Sequence, residues 1–152
     1  KPKCSVCPIQ KSCIAHDRSA EEIYPTRKKS KAKPHRILPV IMLICKGKIV
    51  MEKRPQKGIW GGLFSLPELK DESLLEAWCE ERIGYLPKNI NKGKSLQHAF
   101  SHYSIEIKPI EVRLNVSFST VKLRSTETWY ALNEPAEIGL AAPIKKLLNN
   151  FH

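Results

Sequence analysis

Residues 38–45, Leu-Pro-Val-Ile-Met-Leu-Ile-Cys, form the longest apolar run in the chain and constrain it most. The run is far short of the ~20 apolar residues a helix needs to cross a bilayer. With Pro39 inside it and Lys46-Gly47 directly after it, it reads as a buried strand that turns tightly into a second strand over 48–53. Such a strand requires a core around it. A length of 152 residues at 41% hydrophobic supplies one compact domain with a short appendage, not two enzymatic domains.

The pattern beyond the hairpin is mixed. Residues 54–62 form a Pro- and Gly-bearing loop around Trp60, and 63–66 form a short strand stopped by Pro67. Asp71 is placed to cap a helix over 72–83, whose apolar face is Leu74, Leu75, Trp78, Cys79 and Ile83 and which Gly84 closes. Strands follow at 95–100, by alternation at Tyr103, Ile105 and Ile107, at Ile110, Val112 and Leu114 past Pro109, and at 127–132. Ala142-Pro143-Ile144 starts a last helix that runs to about Asn149, with Leu147 and Leu148 facing inward. Strands interrupted by two helices predict an α+β fold, an α/β sandwich on a mixed sheet. Trp60 and Trp129 are assigned to its core.

The charge lies mostly ahead of this domain. The chain carries 26 Lys and Arg against 15 Asp and Glu, and residues 1–36 hold ten of the former and three of the latter. An excess of this kind favours a polyanionic partner such as nucleic acid. Residues 17–36 are polar, basic and Pro-bearing, with Tyr24-Pro25 as the one conspicuous apolar contact, and read as a linker. The run Arg27-Lys28-Lys29-Ser30-Lys31-Ala32-Lys33 is either a solvated tether or a phosphate contact, and both can hold at once. The amino terminus has no apolar signal segment and no initiating methionine, so the chain reads as cut from something longer.

Five cysteines argue against a disulfide framework, because three of them crowd into the first 13 residues while Cys45 and Cys79 sit in apolar patterns. Cys4, Cys7 and Cys13 follow C-x2-C-x5-C, a spacing at which three thiolates reach one metal centre. His16 would complete a Cys3His zinc knuckle; a cysteine upstream would complete an iron–sulfur site. Elsewhere, Phe100-Ser101-His102 falls between two strands, where a turn lifts it off the sheet. On the residues alone Phe100 reads as a core aromatic at the end of a strand. Beside a nucleic acid, an aromatic ring can also stack on or wedge beside a base, a hydroxyl both donates and accepts, and an imidazole can reach a phosphate.

A hairpin, a Gly-rich loop and a helix ending Glu80-Glu81-Arg82-Ile83-Gly84 resemble the Nudix fold, whose hydrolases hold Mg²⁺ on helical glutamates of the pattern R-E-U-x-E-E-x-G. With its glycine on Gly84, that pattern meets Ala77, Trp78 and Arg82 where Arg, Glu and Glu belong, and Glu81 alone survives. The stretches Lys3-Cys4-Ser5-Val6-Cys7-Pro8, Tyr24-Pro25, Arg54-Pro55, Gly58-Ile59-Trp60-Gly61-Gly62-Leu63, His98-Ala99-Phe100-Ser101-His102 and Gly139-Leu140-Ala141-Ala142-Pro143 together resemble the C-terminal part of MutY-type adenine DNA glycosylases. Ala99 stands where that family usually has threonine.

The resemblance implies three parts: residues 1–16 as the end of an iron–sulfur cluster loop, 17–36 as an interdomain linker and 37–152 as a Nudix-like lesion-recognition domain. Cys4, Cys7 and Cys13 would be the last three ligands of a [4Fe–4S] cluster whose first cysteine lies just upstream of Lys1. Ser101 would read the edge at which 8-oxoguanine differs from guanine, Phe100 would intercalate beside it, and His102 would contact the backbone or support the turn. His98, Tyr103 and Arg54 complete the expected DNA-facing set, Arg54 as a phosphate contact. The implied partners are double-stranded DNA with an 8-oxoguanine:adenine mispair and the protein's own N-terminal catalytic domain, in a monomeric cytoplasmic enzyme. This piece would carry no catalysis and bind no metal alone. An active Nudix pyrophosphohydrolase and a Cys3His zinc nucleic-acid module are the alternatives.

Overall fold

The computed structural model describes residues 2–24, 26 and 32–150. Pro25 and most of the basic run, residues 27–31, lie outside the described residues. The chain divides into two units, Lys1–Ala32 and Lys33–His152. The first winds through single 3-10 turns at Cys4–Val6 and Gln10–Ser12 into the short helix α1 (Ile14–Asp17).

In the second unit the expected hairpin forms from β1 (His35–Cys45) and β2 (Lys48–Lys53), joined at Lys46-Gly47 with both residues at positive φ. β1 begins at His35, so His35 and Arg36, read in sequence as linker, belong to the sheet. The sequence missed this because the first three strand residues are exposed and carry no burial pattern. β3 (Phe64–Ser65), β4 (Ile90–Lys92), β5 (Leu96–Ala99), β6 (Ser104–Leu114) and β7 (Glu127–Ala131) complete a seven-stranded mixed sheet. Its spine is the parallel pair β1 and β6, in unbroken register from His35↔Ser104 to Cys45↔Leu114.

The two helices lie on opposite faces. α2 (Leu75–Ile83) follows a 3-10 turn capped by the Asp71 carboxylate, which accepts from the Ser73 amide at 2.8 Å, and ends at Gly84 in the left-handed region. It buries Trp78, Cys79 and Ile83 against Ile41, Leu43, Ile110 and Val112. Leu74, expected on that face, is exposed because it sits in the 3-10 turn before the helix. α3 (Ala142–Asn149), with Pro143 in its first turn, buries Ile144, Leu147 and Leu148 against Val40, Met42, Ile105 and Ile107. The result is an α/β sandwich.

The apolar alternation of β6 therefore has two phases. Ile105 and Ile107 face the α3 side, whereas Ile110, Val112 and Leu114 face the α2 side, within one strand that passes through Pro109 without a register shift. Among the described residues no helix is long and apolar enough to cross a membrane.

Candidate functional site

Ala99 of β5 pairs with Ser104 of β6, leaving residues 100–103 as the connecting turn. The Phe100 amide closes it by donating to the Tyr103 carbonyl at 2.8 Å, which pushes Ser101 and His102 out as its exposed tip. Ser101 Oγ lies 2.7 Å from His102 Nδ1, a hydrogen bond whose direction follows the imidazole tautomer.

Aromatic rings back the tip. Phe100 stacks on Tyr103 at 4.6 Å between centroids and meets His98 edge-on at 4.7 Å. Trp60 stands 6.2 Å from Phe100 and 6.3 Å from His98. Trp60 is partly buried, at a positive φ of 56°, and packs against the edge of the core on the α3 side while also facing this cluster. Trp129 is also partly buried and packs edge-on against Phe118. The structure thus brings Phe100, Ser101, His102 and Tyr103 into one turn, with His98 of β5 packed beside it.

Arg54 is placed elsewhere. Its Nη1 forms an ion pair with Glu68 Oε1 at 2.8 Å, where β2 leads into the loop to β3, and is committed to that carboxylate. Burial raises the Glu68 carboxyl above its usual range, with Arg54 opposing that shift.

At the helix that would carry hydrolase chemistry, arginines take up the signature's carboxylate positions or pair with what remains of them. Arg82, at the position of the signature's last glutamate, is 2% exposed and grips Glu127 of β7 in a bidentate pair, Nη2 donating to Oε1 at 2.8 Å. It also donates to the Lys122 carbonyl and lies 5.0 Å from the Trp78 ring centroid. Glu81 accepts from Arg124 at 3.1 and 3.3 Å, and that hydrogen bond, followed by the arginine's charge, holds its carboxyl below the usual range. Glu81, Glu127, Glu68 and Glu52 line the same cavity of about 340 Å³ as Arg82 and Arg124. Three of those four carboxylates are paired with an arginine, Glu68 with Arg54, which among the described residues leaves no array of free oxygens of the kind Mg²⁺ requires. Neither Arg82 nor Glu127 could be paired from sequence, since 45 residues separate them.

In the first unit Cys4, Cys7 and Cys13 are all partly buried thiols. Burial, followed by the charge of Glu21, raises the Cys4 thiol, and Cys13 and Cys7 add to the shift. Three soft thiolates at this spacing suit zinc or iron. His16 is less free than a Cys3His site requires: Nδ1 is 2.6 Å from Glu21 Oε1 and Nε2 is 3.0 Å from Gln10 Nε2. Among the described residues, the trio of donor atoms within 4.8 Å of one another is Cys4, His16 and Glu21. Holding metal on His16 would mean breaking one of those two contacts.

The fold recurs in solved structures. The C-terminal domain of mouse MUTYH, in its complex with human PCNA, superposes with a TM-score of 0.61 at 15% identity, covering 76% of this chain and 86% of that one. A MutT NUDIX hydrolase from Burkholderia pseudomallei superposes with a TM-score of 0.58 at 15% identity, covering 79% of this chain and all of the other. In sequence, the chain is 34% identical over 154 residues to the adenine DNA glycosylase of Buchnera aphidicola subsp. Acyrthosiphon pisum (strain APS). That alignment covers 99% of this chain and 43% of the relative, so the chain spans less than half the length of the glycosylase it matches. Residues 40–150, which hold α2, α3 and nearly all of the sheet, match the NUDIX domain family, and the chain belongs to that family.

Proposed function

We propose that this chain is the lesion-reading part of a longer adenine DNA glycosylase, a Nudix domain that inspects the base opposite the target adenine rather than hydrolysing a nucleotide. The observation that carries the reading is the exposed Ser101-His102 tip on its aromatic backing. The similarity to adenine DNA glycosylases along 99% of the chain supports it. So do Arg82, which stands at one metal-holding glutamate position and pairs with Glu127, and Arg124, which engages the retained Glu81.

8-Oxoguanine differs from guanine at one edge: N7 carries a hydrogen and C8 an oxygen. The Ser101 hydroxyl serves either atom. With His102 Nδ1 accepting its proton, Oγ offers lone pairs to the N7 donor; with Nδ1 protonated, the hydroxyl is free to donate to the C8 oxygen. A contact of this kind discriminates by about 1–3 kcal/mol. Phe100 wedges beside the base, leaving the shelf made by His98, Trp60 and Tyr103. The opposite adenine is flipped and its glycosidic bond cut in a catalytic domain that this chain does not contain. The partner is duplex DNA bearing an 8-oxoguanine:adenine mispair, and the whole enzyme acts as a cytoplasmic monomer.

Cys4, Cys7 and Cys13 would hold three corners of a [4Fe–4S] cluster, with the fourth ligand supplied from outside this chain. Such a cluster, when bound, braces the loop that carries it. The chain then divides by role into the end of a cluster loop, a basic linker and the reading domain.

Fluorescence anisotropy on matched duplexes tests the reading. The chain is expected to bind the 8-oxoguanine:adenine duplex more tightly than the guanine:adenine duplex, with Ser101→Ala and Phe100→Ala each narrowing the gap. Equal preference in the parent and both variants would remove the turn's role.

A further inference from the structure

The residues just ahead of β1 are docked on the flank of the same turn. The Ser104 amide donates to the Pro34 carbonyl at 3.0 Å, and β1 then runs beside β6 from His35↔Ser104 onward. This brings two cations against the turn. Lys33 Nζ donates to the Phe100 carbonyl at 3.0 Å, and the Arg36 guanidinium lies 5.5 Å from the Tyr103 ring centroid. Both side chains are exposed, and among the described residues neither is paired with a carboxylate. The neighbouring acid, Glu106, is matched by His35 Nε2 at 3.6 Å, while His35 Nδ1 lies 3.0 Å from Ser104 Oγ.

We infer that Lys33 and Arg36 form a phosphate-gripping pad that clamps the DNA backbone beside the base read at the turn. The inference rests on duplex DNA being the partner proposed above. A lysine ammonium has three donors, and the Phe100 carbonyl takes one, so two remain for phosphate oxygens. A guanidinium lying against an aromatic ring keeps its edge donors free for a bidentate phosphate contact. Because both cations are fixed to the backbone or ring of the turn, they set where along the duplex the Ser101 hydroxyl arrives. They carry no base information themselves: phosphate contacts position and edge contacts specify.

The two roles separate by salt dependence. Anisotropy titrations across a series of KCl concentrations, on 8-oxoguanine:adenine and guanine:adenine duplexes, give the slope of log affinity against log salt. Each phosphate contact contributes about 0.9 to that slope. The double variant Lys33→Ala/Arg36→Ala is expected to weaken both duplexes by the same factor and to flatten the slope by roughly 1.8. Lys33→Arg, which keeps the charge, should retain the slope. The double variant Lys70→Ala/Lys88→Ala, which removes two exposed lysines flanking α2 on the other face, should leave it unchanged. An unaltered slope in the pad variant, an equal loss in the control variant, or no measurable duplex binding by the parent chain would overturn the pad. A parent that binds both duplexes equally, yet shows the flattened slope in the pad variant, would overturn lesion reading and keep the pad.

Discussion

Arg82 of α2 and Glu127 of β7 form a bidentate ion pair on the α2 side of the sheet, with Arg82 2% and the Glu127 side chain 0% exposed. The pair is braced further: Glu127 accepts from the Arg124 amide at 2.8 Å, and Arg82 reaches the Lys122 carbonyl at 3.0 Å. A position where a hydrolase would place a metal-holding carboxylate therefore joins helix to sheet by a protein cation.

Breaking that join from one side leaves a buried charge without its counterpart. Glu127→Gln or Arg82→Met should each cost about 3–5 kcal/mol in urea unfolding. The double variant Arg82→Met/Glu127→Leu should recover most of the loss. A single variant within 1 kcal/mol of the parent, in order of magnitude, would mean the pair is solvated.

Magnesium should have nothing to hold. Adding millimolar Mg²⁺ is expected to leave the melting temperature unchanged and to release neither phosphate nor pyrophosphate from nucleoside triphosphates. Magnesium-dependent release by the parent chain that Glu81→Gln abolishes would restore the hydrolase reading.

Acid should act through the exposed partner of this network. Arg124 holds the Glu81 carboxyl below its usual 4.5, so the contact stabilises the fold above that pH and is lost as pH falls through the lowered native value. The difference in urea midpoint between parent and Arg124→Ala should be constant above about pH 5 and shrink as the solution is acidified below 4.5. A difference that grows on acidification would reverse the assignment.

Thiol chemistry should sort the cysteines by environment. Burial pushes the Cys79 thiol up to about 11, so at pH 8 only ~0.1% is thiolate, and its Sγ is sealed within the α2 core. Iodoacetamide at pH 8 should leave Cys79 unmodified until guanidinium unfolds the chain, as read by peptide mass. Labelling in the folded chain would show that α2 opens locally.

Gly61 packs closely on the backbone of Gln56 within the loop that carries Trp60. A Cβ there would stand 2.3 Å from the Gln56 carbonyl oxygen, a backbone atom that cannot rotate away. Gly61→Ala should force the loop to shift, costing about 1–3 kcal/mol, and should alter the tryptophan emission contributed by Trp60. Unchanged emission and stability would show that the loop has room to give.

Much of this architecture was legible because local chemistry and burial agree. The Lys46-Gly47 turn, the Asp71 cap, the Gly84 stop and the Pro143 start mark element ends with residues that suit those backbone geometries. The exposed turn at 101–102 follows from polar residues between two alternating segments. What escaped is non-local. The change of phase at Pro109 looks like a break between strands, but it records only which helix covers each half of β6. Trp60 has the composition of a core residue, and its place beside His98 and Phe100 depends on a backbone conformation that β-propensity does not foresee. Arg54, free in the sequence, is claimed by Glu68.

The parallel ladder between β1 and β6 also dictates an order of events during synthesis. Its first partners, His35 and Ser104, are 69 residues apart, and the loop between them must close before a single rung rewards the closure. On a translating ribosome the apolar face of β1 stays without its neighbour until β6 has left the exit tunnel. The hairpin with β2 is then its first shelter, and a stall between the two strands would leave a sticky nascent chain for chaperones to guard.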